Sequence, residues 1–164
     1  MLALEKTAII GLGARTGSSL LRYFQSQSEH LIVVDDKTQE QCKDVLNGMQ
    51  VIFEHTAQLD QAFACRRWIV SPGIPLSKAY FAKARALGIE LVSEIDFSLS
   101  KIHAPLLAIS GSNGKSTTVS LLGHLLQHSE KKNVFVGGNL GTPLIEAVGK
   151  TWDALVVELS SFQL

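Results

Sequence analysis

Apolar residues in this chain fall into short runs, and between the runs they recur at three- and four-residue spacing. Thr7–Ile10 is a short buried-strand run that ends in Gly11-Leu12-Gly13. Thr16–Gln27 follows with Leu20, Leu21 and Phe24 at helical spacing. His30–Val34 reads as a second strand ending in Asp35-Asp36, and Gln39–Asn47 as a short helix closed by Gly48. Val51–Phe53 is a third strand, and Ala57–Ala64 a helix or turn. Trp68–Val70 is a fourth strand, cut off by Ser71-Pro72-Gly73. Ser77–Leu87 is helical and stops at Gly88, and Ile89–Val92 is a fifth strand. Strands alternating with helices predict a parallel sheet covered by helices.

A second unit starts near Ser93–His103. Leu106–Ser110 is predicted as a strand, followed by the loop Gly111-Ser112-Asn113-Gly114-Lys115-Ser116-Thr117 and a helix from Thr118 to about His128. Asn133–Val136 is the next strand and runs into Gly137-Gly138-Asn139-Leu140-Gly141. Ile145–Val148 is a short helical piece, and Ala154–Leu159 is an apolar strand with one acid, Glu158. Three strands are few for an open α/β sheet, and the apolar end Ser161–Leu164 reads as a truncation.

The composition is that of a globular chain, with 46% hydrophobic and 18% charged residues. Fifteen basic residues balance fifteen acidic ones, so no charge surplus points to nucleic acid or an anionic membrane. The start has no basic, long apolar leader, and no stretch approaches a membrane span, so the expected compartment is the cytoplasm. Cys42 and Cys65 are too few for a disulfide scaffold or a cysteine zinc site, and read as two reduced thiols.

The loop Gly111–Thr117 carries the strongest chemical signal. A strand, a glycine-bearing turn and a helix start in that order turn N–H groups toward one point at the positive end of a helix dipole. Lys115 can then reach phosphate oxygens, and the Ser116 hydroxyl can sit on Mg²⁺. Ile109 stands where the strict phosphate-loop pattern has glycine, so this is a variant. The alternative is a plain turn before a helix capped by Ser112 or Asn113. Glu158, in an otherwise apolar strand, costs several kcal/mol (roughly) unless it is paired, protonated or metal-bound. Mg²⁺ beside the loop is one partner, and a strand-end acid in solvent is the alternative. The first unit has its own loop, Gly11-Leu12-Gly13-Ala14-Arg15-Thr16-Gly17, one residue longer than the dinucleotide fingerprint. Asp35 stands where a ribose-binding acid falls, and a Rossmann oxidoreductase is the rival reading of this half. A tight βα turn is the plainer one, and Ser71-Pro72-Gly73 is either a second ligand-edge turn or only a turn.

Taken in order, these segments resemble the Mur ligases, ATP-dependent amide-bond formers of peptidoglycan precursor synthesis. Gly111–Ser116 is similar to the family's G-[ST]-x-G-K-[ST] loop, and Gly137–Gly141 to its G-x-N-x-G turn. The run Glu158–Leu164 looks like the branch that adds D-glutamate, and Gly11–Gly17 and Ser71–Ile74 fit that branch too. The resemblance implies a Rossmann-like domain for the UDP-substrate over residues 1–93, and over 94–164 the first part of a central P-loop ATPase domain. It implies that Arg15, Thr16, Asp35, Asp36, Lys37, Ser71, Pro72 and Gly73 line the uridine nucleotide, and that Asn139 contacts the substrate. It implies that Gly111, Ser112, Asn113, Gly114, Lys115, Ser116 and Thr117 cradle ATP, with Ser116 and Glu158 on Mg²⁺. Lys115 and Glu158 would be the catalytic pair. Two positions depart from the family: Arg15 fills a usually apolar slot, and Asp36-Lys37 replaces Thr-Arg. The substrates implied are UDP-N-acetylmuramoyl-L-alanine and D-glutamate. The family's later metal-binding histidine, modified lysine and closing C-terminal domain have no counterpart here, so the expectation is an incomplete fragment of such a ligase, inactive alone, with a nucleotide-binding fragment only as the alternative.

Overall fold

The computed structural model describes residues 6–13, 15–27, 30–130, 133–139 and 141–160. Two compact units divide between Glu94 and Ile95. The first is a five-stranded parallel sheet of β1 (Thr7–Ile10), β2 (Leu31–Asp35), β3 (Ile52–His55), β4 (Arg67–Val70) and β5 (Glu90–Ser93). The strand order is β3-β2-β1-β4-β5, so β1 is central and β4 returns to its free side. Successive side chains on a strand point to opposite faces. Ala8, Ile10, Ile32, Val34, Trp68 and Val70 therefore form one core with Phe81 and Ala84 of α3 (Ala79–Ala86). Ile9, Val33 and Ile69 take the other face and are fully buried. Leu20, Leu21 and Phe24 are the large buried apolar residues of α1 (Thr16–Ser26), which runs beside β2. A sheet covered on both faces needs no polar alternation, which is why its three inner strands β2, β1 and β4 read as apolar runs while the half-exposed edge strands β3 and β5 carry polar residues.

Trp68 anchors the α3 side. It is fully buried, its indole N–H donates to the Ala62 carbonyl at 2.8 Å, and its ring lies 5.3 Å from Phe63 and 6.0 Å from Phe81. Cys42 and Cys65 are both buried free thiols, and burial pushes Cys65 up to about 11.

The second unit is a three-stranded parallel sheet in the order β6-β8-β7, from β6 (Leu106–Ile109), β7 (Val134–Gly138) and β8 (Ala154–Glu158). One face, with Ala154 and Val156, packs on Val119 and Leu122 of α5 (Lys115–Gln127). The other, with Leu155 and Val157, packs on Ile95, Phe135 and Leu144.

Several predicted elements shift. Gln39–Asn47 is a 3-10 turn (Glu40–Cys42) running into one turn of helix, α2 (Lys43–Leu46), and Ala57–Ala64 keeps only the 3-10 turn Ala62–Ala64. The short helix α4 (Glu94–Leu99) was not predicted: only six residues long, it offers too few turns for a periodic signal. α5 begins at Lys115, three residues before the predicted start, because Gly114 makes the left-handed turn at φ +75° that Thr118 was not needed for. No helix among the described residues is long and apolar enough to cross a membrane. Ala14, Leu140, the Lys131-Lys132 turn and the run Ser161–Leu164 lie outside the described residues.

Candidate functional site

In the first unit, the chain leaves β1 toward β2 on one side, while β4 and β5 build the other. Such a change of direction opens a crevice at the carboxyl ends of the strands. Arg15 and Thr16 follow β1, Asp35 closes β2 with Asp36 and Lys37 after it, and Ser71, Pro72 and Gly73 follow β4. The topology thus brings these eight expected residues to one sheet edge. Ser71 N–H donates to Ile10 O at 2.9 Å, and its hydroxyl donates to Gly11 O at 2.5 Å, which joins the two turns across the crevice. Gly11 has φ +85°, and a Cβ there would stand 2.7 Å from Ile74 Cγ1, so the loop tolerates no side chain.

Asp35 has a job inside the protein. Its Oδ2 accepts Leu12 N–H at 2.6 Å and its Oδ1 accepts Lys37 N–H at 2.9 Å. Asp36 carries a second network. Lys78 Nζ donates to its Oδ2 at 2.8 Å, Thr56 Oγ–H to its Oδ1 at 2.6 Å, and His55 Nε2 lies 2.9 Å from its carbonyl. The bond from Lys78, then that from Thr56, holds the Asp36 carboxyl below the usual carboxylate range. The same bond raises Lys78. Sequence reasoning missed Lys78, Thr56 and His55, since no local motif ties a lysine to an acid 42 positions earlier.

In the second unit, β6 delivers the chain into a turn where Gly111 (φ +142°) and Gly114 (φ +75°) take backbone conformations that favour glycine. Gly114 occupies the cap position of α5, and no side chain caps the helix. The alternative in which Ser112 or Asn113 serves as cap is therefore corrected. The first-turn N–H groups of a helix have no intrahelical acceptor, and here they sit at the positive end of its dipole. Lys115 Nζ donates to Gly111 O at 2.7 Å and folds back over the turn. Ser112, Asn113, Ser116 and Thr117 are exposed around it.

Glu158 closes β8, the central strand, opposite Ile109 of β6 and Gly138 of β7. It is 2% exposed, and Ser116 Oγ–H donates to its Oε2 at 2.8 Å. The solvent-facing alternative for this acid is overturned. Gly138 has φ +108°, and a Cβ there would strike the Glu158 carbonyl oxygen, so β7 can run this close only with glycine. Asn139 N–H donates to that same carbonyl at 2.9 Å, which sets Asn139 beside Glu158 through the backbone. Among the described residues no group of three or more His, Cys, Asp or Glu could hold a metal. One carboxylate and one hydroxyl are too few to cage a cation. They are hard oxygen donors of the kind Mg²⁺ accepts when phosphate and water complete its shell.

Two parallel α/β units, each with a glycine turn at a strand's carboxyl end, make the fold of the N-terminal region of a Mur ligase. The chain is similar to the solved UDP-N-acetylmuramate:L-alanyl-gamma-D-glutamyl-meso-diaminopimelate ligase of Neisseria meningitides, with TM-score 0.56 and 20% identity over 95% of this chain and 52% of that one. Residues 5–93, more than half of the sequence, match the family described as Mur ligase MurD-like, N-terminal domain. The chain belongs to that family. It is 37% identical to the UDP-N-acetylmuramoylalanine–D-glutamate ligase of Marinobacter nauticus over 98% of its own length. It is 38% identical to the enzyme of that name from Syntrophotalea carbinolica, again over 98% of its length. It spans 36% of the length of each of these two relatives.

Proposed function

We propose that the chain is the N-terminal region of an ATP-dependent, cytoplasmic ligase that joins D-glutamate to UDP-N-acetylmuramoyl-L-alanine. The first unit binds the uridine nucleotide through Arg15, Thr16, Asp35, Asp36, Lys37, Ser71, Pro72 and Gly73. The second begins the ATP site with Gly111–Thr117, and Asn139 contacts the substrate. The observation that carries this reading is the Ser116–Glu158 hydrogen bond of 2.8 Å, which couples the glycine turn to a buried acid on the neighbouring strand. A buried carboxylate bonded to a hydroxyl at a helix start suits a phosphate-bound cation. Ser116 and Glu158 would hold Mg²⁺, which neutralises charge on the nucleotide phosphates when bound.

In the reaction so read, a carboxylate oxygen of the alanyl substrate attacks the γ-phosphorus of ATP, the bond to the ADP oxygen breaks, and an acyl phosphate forms. The D-glutamate amine then attacks the acyl carbon, phosphate leaves, and the amine loses a proton. Phosphoryl transfer asks a protein mainly for positioning and charge neutralisation. Lys115 supplies the cation by leaving Gly111 O for a phosphate oxygen, and the open N–H groups of α5 supply fixed donors.

Calorimetric titration of this chain tests the reading. UDP and Mg·ATP should each bind, without phosphate release when all three substrates are present. Lys115→Ala should lose Mg·ATP and keep UDP. Absence of binding by both nucleotides, or equal loss of both in the variant, would contradict it.

A further inference from the structure

Asp36 presents a difficulty for a site that binds a diphosphate. It lies directly after β2 at the ligand edge of the sheet, and its carboxyl is held in the charged form. A carboxylate a few ångströms from a phosphate is repulsive, and the repulsion is strong wherever water is displaced. The structure supplies the answer from a distant part of the chain. Lys78, the residue before α3, brings its ammonium 2.8 Å from Asp36 Oδ2. The other carboxylate oxygen takes the Thr56 hydroxyl at 2.6 Å, so the acid is engaged on both sides. The Lys78 ammonium also lies 5.9 Å from the centroid of the Tyr80 ring. Lys78 is thereby aimed at the sheet edge while its side chain stays 33% exposed.

An exposed lysine–carboxylate pair contributes little to stability. Its worth lies in where the charge is held. An ammonium has three donors, and Asp36 takes one. Resting on the uridine-nucleotide reading of the first unit, we propose that Lys78 is a phosphate-binding residue of that site: it cancels the Asp36 charge and turns its remaining donors to the diphosphate. Asp36 then acts as the positioning residue that aims Lys78. Lys78 so placed separates a nucleoside diphosphate from the uncharged nucleoside.

The test is titration of the whole 164-residue chain with UDP and with uridine at low and high salt, for the wild type and for Lys78→Gln, Lys78→Arg and Asp36→Asn. Lys78→Gln should weaken UDP by about tenfold or more, as expected for a lost charge-assisted bond, and leave uridine unchanged. Lys78→Arg should retain most of the UDP affinity, which shows that the position folds and that charge is what matters. Asp36→Asn should weaken UDP less than Lys78→Gln does, because the ammonium remains at the site but is no longer held in place by its 2.8 Å bond. Lys78→Gln should also flatten the salt dependence of UDP binding. Unchanged UDP affinity in Lys78→Gln overturns the proposal while the uridine reading stands. Equal weakening by Lys78→Gln and Asp36→Asn overturns it too, since the pair is then only a strut. Failure of the wild type to bind either uridine or UDP removes the underlying reading instead.

Discussion

Asp35 Oδ2 accepts the Leu12 N–H at 2.6 Å, so the end of β2 holds the loop that leaves β1. With Oδ1 on Lys37 N–H, one side chain sets the backbone that follows β1 and the backbone that follows β2. Asp35→Ala leaves two backbone donors without their acceptor and should cost about 1–3 kcal/mol of stability. Asp35→Asn keeps one acceptor oxygen and should cost less. Urea unfolding of the three proteins checks the order, and an Asp35→Ala variant as stable as the wild type would show that the loop holds itself.

Glu158 is the reverse case, a residue the fold keeps at its own expense. It is buried at 2% exposure, and its described side-chain partner is the neutral Ser116 hydroxyl. Glu158→Gln retains the acceptor for Ser116 and removes the desolvated charge, so the ligand-free chain should gain about 1 kcal/mol. The same variant should lose the Mg²⁺ dependence of ATP binding. Urea unfolding and titration with and without Mg²⁺ measure the two effects, and a variant less stable than the wild type would count against the desolvation argument.

The acid limb of the stability profile should carry the Asp36 signature. Its carboxyl is lowered from the ordinary 3.8 by the Lys78 bond first and the Thr56 bond second. Folding therefore favours the charged form. That contribution is complete above the unfolded value and fades as pH falls through the lower, folded one. The stability difference between wild type and Asp36→Asn should be flat above about pH 5 and shrink as pH falls below about 4. Added salt should reduce it at every pH, because the pair is exposed. Unfolding curves at a series of pH values decide, and a difference that grows toward low pH would reverse the assignment.

β1 and β6 should differ most in amide exchange. All four residues of β1 are buried, whereas β6 is an edge strand with Leu106 40% and Leu107 39% exposed. Amides that β6 shares with β8 should exchange at least about tenfold faster than those of β1 in a dilute monomer. Equal protection without any oligomer in light scattering would show that the second sheet is self-sufficient.

The parts of this molecule that were legible in the sequence are those written in local periodicity. The apolar runs at Thr7, Leu31, Trp68 and Ala154 are strands buried on both faces, whereas the run at Leu106 is an edge strand whose apolar residues stay exposed. The Gly111–Thr117 loop and Glu158 were readable as separate signals, and their meeting follows from parallel pairing of β6 with β8. The helix start at Lys115 was misjudged because the position of one left-handed glycine, Gly114, decides it. The Asp36–Lys78–Thr56 network was illegible, since it joins residues from three different connections and depends on side-chain reach. The double duty of Asp35 was hidden for a related reason: a fingerprint names the acid but not the N–H groups it accepts.

The two tryptophans of the sequence fall one to each unit. Trp68 lies among Phe63, Tyr80 and Phe81, and Trp152 stands 5.5 Å from Phe135 with its indole N–H on Ala147 O at 2.8 Å. Each indole is thus a natural fluorophore for its own half. Emission from Trp68→Phe reports the second unit and emission from Trp152→Phe reports the first, with no dye or label attached. Coincident melting curves from the two single-tryptophan proteins mean that the halves unfold together, and separated curves give each half its own melting temperature.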